Sequence, residues 1–466
     1  MFDDEEDEFN EDNVNEDLKR FDAFLSGEAM GFLDSDRWET LIDHLIISAQ
    51  YQKALTASEE ALTQFSYNGL FKLRRAQAFS GIGKLKEAIQ QLSELERLGM
   101  PSFELLLTKA SVFSQLKDAN NAIKYFRAAL AEAQPEDRDE IYLDLAVEYE
   151  NIGNWKDALK VLEEAIQKNP HNEGAIYEIA FCYDQLGEFE KSIQCYSSFI
   201  DENPYSFTAW YNLGNAYLKI ENYEQAIWAY DYCILINDDF GPVYFNLGNA
   251  YLSLDKFTKA IESFETSIRL DGDDPMAFCY IGESYEQLEQ YDLAKHYYQR
   301  SLELAPLLPE GWLGLGIVED LEGRTREGLV LLHKAAELSP ENSGIMHVLA
   351  GAYEKLEEFE QAADYYQLAL GLDPSDGECL KNFVNLMVQT THLVEAKSFL
   401  DAFEETDPNN DYIPLLKINL WWKMGEKQGA LELFKKCLER DRKHALEIFE
   451  INPELKNVPE FVLLAD

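Results

Sequence analysis

The chain has 466 residues, 87 of them acidic and 40 basic, for a formal net charge of -47. That balance excludes nucleic acid and anionic membrane surfaces as natural partners, since both would be repelled. It favours a basic or neutral protein segment, attracted by a field that salt screens over about 8 Å.

In chain order, residues 3–17 come first, with ten acids and no base. Such a block repels itself and buries little, so residues 1–17 are expected to form a disordered acidic tail. The start Met1-Phe2-Asp3-Asp4 has neither the basic region nor the apolar run of a secretory signal. No stretch approaches the roughly 20 apolar residues that span a bilayer, so a cytoplasmic location is expected. Leu18, Phe21, Phe24 and Leu25 have helical spacing, which predicts a capping helix within 18–34.

From residue 35 to residue 444 one pattern repeats. Small side chains recur at Ala54, Ala88, Ala122, Ala158, Ser192, Ala226, Ala260, Ala294, Gly328, Ala362, Ala396 and Ala430. The interval is 34 residues throughout, apart from one of 36 around Pro135–Arg138, where a local change of curvature is expected. A clear unit reads Trp210-Tyr211-Asn212-Leu213-Gly214-Asn215-Ala216-Tyr217 and continues to Ala226 and Tyr230. Each half of it has apolar residues three and four apart, so each unit is a helical hairpin. Gly214 and Ala226 fall where the two helices must approach closely. Proline recurs at Pro170, Pro204, Pro306, Pro340, Pro374 and Pro408, where one hairpin ends and the next begins.

These residues resemble the tetratricopeptide repeat (TPR) family, with twelve units starting at Ser35, Gly69, Phe103, Asp139, Glu173, Phe207, Gly241, Pro275, Pro309, Ser343, Gly377 and Asp411. The resemblance implies an all-α TPR-type α-solenoid, a right-handed superhelix of antiparallel helix pairs. Three units depart from the pattern. Lys72 and Arg75 stand where the family prefers apolar residues, Glu319 replaces an aromatic, and Pro414 moves the start of the last unit's first helix to its own neighbourhood. Residues 445–466 form a C-terminal cap and tail, with the apolar run Phe461-Val462-Leu463-Leu464 expected to fold back on the last hairpin.

Motifs of chemistry are missing. There is no GxxxxGK[ST] loop, no HExxH helix and no GxSxG turn. Six cysteines form no CxxC pair, and seven scattered histidines offer no zinc-ligand spacing. No cofactor, metal or catalytic residue is therefore expected. Paired, strongly perturbed carboxylates in a sealed pocket would be needed to revive an enzymatic reading.

The resemblance also implies that the first helix of each hairpin lines a groove for a partner segment. Tyr211, Asn212, Asn215 and Lys219 fall there in one unit, Phe245, Asn246 and Asn249 in the next, and Asn382 and Asn385 in a later one. An asparagine both donates and accepts, so it pairs with a peptide backbone whatever the side chains. Aromatic residues stand where a carboxylate clamp would need lysine. Acids are frequent elsewhere on the groove, as at Glu140, Glu150, Glu283, Glu286, Glu310 and Asp320. The expected function is a noncatalytic protein–protein interaction scaffold, monomeric, holding an extended or helical segment. The alternatives are an assembly platform that self-associates through its ends and, last, an enzyme.

Overall fold

A computed structural model describes residues 3–99, 102–407 and 410–465. Every regular element among them is helical. No helix among them is long and apolar enough to cross a membrane. Two compact units divide the chain, Met1–Asn237 and Asp238–Asp466.

In unit 1, α1 (Asp3–Leu25) precedes the hairpins α2/α3 (Ser35–Ile47, Tyr51–Gln64), α4/α5 (Gly69–Gly81, Leu85–Arg97) and α6/α7 (Phe103–Gln115, Ala119–Glu132). The hairpins α8/α9 (Arg138–Asn151, Trp155–Lys168), α10/α11 (Glu173–Leu186, Phe189–Glu202) and α12/α13 (Phe207–Lys219, Tyr223–Ile236) follow. Unit 2 continues with α14/α15 (Gly241–Ser253, Phe257–Asp271), α16/α17 (Pro275–Gln287, Tyr291–Leu304) and α18/α19 (Pro309–Leu321, Thr325–Leu338). Then come α20/α21 (Ser343–Lys355, Phe359–Leu372), α22/α23 (Gly377–Gln389, Leu393–Thr406) and α24/α25 (Tyr412–Met424, Lys427–Arg440). Short helices α26 (Arg442–Ala445), α27 (Ile448–Ile451) and α28 (Pro459–Ala465) close the unit.

Local chemistry sets these boundaries. Asn172, Ser206, Asn342 and Asp376 each accept a hydrogen bond from a backbone N–H in the first turn of the helix that follows them. Such caps satisfy amides that a helix start leaves without partners. Between the two helices of every hairpin one residue is left-handed: Ala49, Gly83, Lys117, Gly153, Gly187, Glu221, Asp255, Glu289, Gly323, Glu357, Thr391 and Gly425. Seven of those are not glycine and carry the cost of a Cβ in that region.

Packing explains the small residues. A Cβ on Gly214 would overlap the ring of Tyr230, and one on Gly248 would come within 2.7 Å of Phe264. In unit 2 the Tyr298 ring fits against Gly282 of its own hairpin and Gly314 of the next. Tyr230, Tyr298 and Phe264 are all buried. The aromatic residue therefore lies directly over the glycine.

Some details differ from the sequence expectation and others follow it. The acidic block, expected as a disordered tail ahead of a separate cap, is helical from Asp3 and continuous with that cap. Asp17 is buried and paired with Arg37 at 2.7 Å, and Phe21 packs edge-on against Trp38. The two extra residues form a short 3-10 turn, Pro135–Asp137. Arg75 keeps its place in α4 by donating to Gln91 at 2.8 Å. The first helix of the last hairpin starts at Tyr412, two residues before Pro414, so the ring sits in the first turn, where no N–H is needed. At the C-terminus Phe461 is fully buried against Phe434 and Trp422, with ring centroids 4.9 and 5.2 Å away.

Candidate interaction site

In unit 1 the first helices of successive hairpins touch, α8 against α10 and α10 against α12. Their shared face carries the features below. A cavity of about 190 Å³ opens between α10, α11 and α12, lined by Tyr177, Phe181, Asp184, Ser192, Asn212 and Lys219 among others. Ser192 is 1% exposed, and its hydroxyl has no hydrogen-bond partner. The Asn212 side-chain nitrogen is likewise buried and without a partner. Both unsatisfied donors are thus buried atoms of residues that line one cavity. An ion pair between Lys219 and Asp184 borders it, and Tyr177 and Phe181 leave more than two-fifths of their surface open.

One turn from the cavity lies a carboxyl pair. Burial first, and the charge of Glu178 second, push Glu150 up to about 7. Glu150 hydrogen-bonds to Glu178, whose own carboxyl is raised by burial. The Cys182 thiol reaches Glu150 Oε1 at 3.5 Å, and burial raises its pKa as well, so it stays protonated and is no nucleophile. Both carboxyls are only half-buried on the helix face, and the pair is not sealed in a chamber. Such a pair is relieved by a cation, which allows both groups to ionise.

Other sequence-predicted residues are more tightly tied. Asn215 accepts from the Tyr230 hydroxyl at 2.7 Å, and Tyr211 leans on the same ring. In unit 2, Phe245 packs against Phe264 and Tyr280 at 5.6 and 5.9 Å, so its ring belongs to the hydrophobic core. Asn246, Asn249 and Asn385 are half-buried on their first helices. Asn382 donates to His347 Nε2 at 3.1 Å. Glu286 is pushed up to about 7, chiefly by burial, although Tyr298 donates to it at 2.9 Å. Glu310 is exposed, and Asp320 is held by Lys355 and Thr325.

Sequence reasoning missed the roles of Ser192 and Glu178. Ser192 left a signal, since it is the one hydroxyl among the twelve small positions. Glu178 left none, because its partner Glu150 is 28 residues away and belongs to no motif.

Family comparison adds to the geometry. Tetratricopeptide repeat models match residues 73–138, 242–274, 275–308 and 343–376. The chain belongs to the tetratricopeptide repeat family. Within this repeat array, the model for anaphase-promoting complex, cyclosome, subunit 3 matches residues 115–199 and 151–233. Anaphase-promoting complex subunit 3 of Schizosaccharomyces pombe is 25% identical over 155 residues, 33% of this TPR chain. The aligned stretch spans 23% of that protein's length. Among solved structures, a chain of the APC/C hetero-tetramer Cut9–Hcn1 is 15% identical, covering 83% of this chain and 96% of its own, with a TM-score of 0.43. YrrB, described as a TPR protein with an unusual peptide-binding site, is 24% identical over 40% of this chain and 95% of its own, with a TM-score of 0.31.

Proposed function

We propose that this TPR chain is a noncatalytic interaction scaffold of the cytoplasm, and that unit 1 holds an extended, basic segment of a protein partner against α8, α10 and α12. The observation that carries this reading is the pair of unsatisfied donors on Ser192 and Asn212, two residues that line one cavity. A buried donor without a partner costs about 1–3 kcal/mol. A backbone carbonyl of a segment seated in that cavity accepts from such a donor once its side chain turns outward, and removes that cost without regard to the segment's side chains.

Charge then selects the segment. A lysine or arginine beside Glu150 and Glu178 replaces their shared proton with a full positive charge. Tyr177 and Phe181 supply flat contacts with little torsional freedom to lose. The same features fit catalysis poorly. The thiol is protonated, and the acid pair lies on an open face.

Fluorescence polarisation of the full chain with degenerate, labelled peptides tests the proposal. Peptides rich in lysine and arginine are expected to bind and to weaken as salt rises. Acidic peptides of the same length are expected not to bind. The change Asn212→Ala, and the double change Glu150→Gln with Glu178→Gln, are each expected to weaken binding at least tenfold, from the loss of about 1.4 kcal/mol. Equal affinity for basic and acidic peptides, or no effect of either variant, would overturn it.

A further inference from the structure

We propose that His347 Nδ1, a carboxylate oxygen of Asp376 and the Cys379 sulfur form a binding site for a divalent transition ion, zinc above all, that clips two successive repeats of unit 2 together. The three ligand atoms lie within 4.8 Å of one another. His347 comes from α20, Asp376 caps α22 and Cys379 lies in its first turn, so the site joins two hairpins. Sequence spacing hides it, because 29 residues separate the histidine from the aspartate.

The donor set suits the ion. Imidazole, carboxylate and thiolate are the three ordinary zinc ligands, at about 2.0–2.3 Å from the metal. Tetrahedral bonds of that length set ligand atoms roughly 3.3–3.6 Å apart. His347 Nδ1 and Asp376 already stand 3.1 Å apart, and the Cys379 sulfur, within 4.8 Å of both, has to move by about an ångström to complete the triangle.

The surroundings fit as well. Asn382 lies 3.1 Å from His347 Nε2. Its amide donates there now; turned over, it accepts from Nε2–H and fixes the tautomer that leaves Nδ1 free for metal. Asp373 adds a second negative charge near the sulfur. Cys379 is fully buried, which shields a metal–thiolate bond from solvent. On binding, the metal–sulfur bond replaces the thiol S–H bond, and one proton leaves to solvent for each ion bound. Three protein ligands leave a fourth position for water or for a donor from a partner.

Without metal the same groups form a hydrogen-bonded cap, with Asp376 accepting from His347 and from the Cys379 backbone N–H at 2.9 Å. A cobalt(II) titration of the reduced full chain distinguishes the two states. Binding of one equivalent with a sulfur-to-cobalt charge-transfer band, displaced by zinc, is expected. Cys379→Ser is expected to abolish the band. Asp376→Asn keeps a capping side chain and is expected to weaken cobalt at least tenfold. His347→Gln, at a half-buried position, provides a second loss-of-ligand variant should the serine variant not fold; circular dichroism reports folding for each. No charge-transfer band from folded wild-type chain, or a band that persists in Cys379→Ser or is unchanged in His347→Gln, would overturn the proposal.

Discussion

Replacing Glu150 by glutamine should change how stability depends on pH. In the folded chain this carboxyl is pushed up to about 7 from an ordinary 4.5, chiefly by burial. Between those values the folded state binds more protons than the unfolded state, so stability falls as pH rises. The penalty is absent below about pH 4.5 and complete above about pH 7, the reverse of a salt-bridged carboxylate. At about 1.4 kcal/mol per pH unit the ceiling is about 3 kcal/mol. Solvent reaches the half-buried pair and screens it, which leaves about 1–2 kcal/mol. Glutamine has the same shape and no charge to desolvate. Urea denaturation of the full chain, wild type beside Glu150→Gln from pH 4.5 to 8.5, should show coincident curves at the acid end. The variant's midpoint should lead by roughly 0.3–1 M at the alkaline end. A difference that stays constant with pH, or that favours the wild type above pH 7, would refute the account of the pair.

Four further outcomes can be checked. Ser192→Ala removes an unsatisfied buried hydroxyl and should raise stability by about 1 kcal/mol while weakening the basic-peptide binding proposed above, read by melting and polarisation side by side. Gly214→Ala puts a methyl into the Tyr230 ring and should cost about 1–3 kcal/mol in a chemical melt. Glu357→Gly, at a left-handed turn position, should stabilise by about 0.5–1 kcal/mol, since glycine's larger chain entropy takes back part of the relief. Phe461→Ala empties a fully buried site and should cost about 3–5 kcal/mol, with light scattering showing concentration-dependent association through the uncovered end.

The hairpins were legible because their contacts are periodic. Gly214 must be small for the same reason as Gly248, so one steric demand is written repeatedly along the chain. The left-handed turn residues were half legible. Glycine marks Gly153 and Gly187, but Glu221 and Asp255 adopt the same conformation with no compositional sign. Asn212 could be placed by its position in the repeat. Its unsatisfied companion Ser192 lies on a different helix, and the Glu150–Glu178 pair depends on which side chains meet across neighbouring hairpins. Asn382, assigned to the groove from its place in the repeat, donates to a histidine on the preceding hairpin. Periodicity gives a residue's place within its own unit and is silent on what the adjacent unit presents to it.

Tyr298, whose ring fits both Gly282 and Gly314, has a mechanical consequence. Peeling the next hairpin away in unit 2 uncovers the buried Tyr298 ring and leaves a glycine notch open to water, so it loses a shared contact. Unravelling from a frayed end is therefore slowed at such interlocks, which couple one repeat to the next. Hydrogen exchange should show the amides of α16, α17 and α18 opening together.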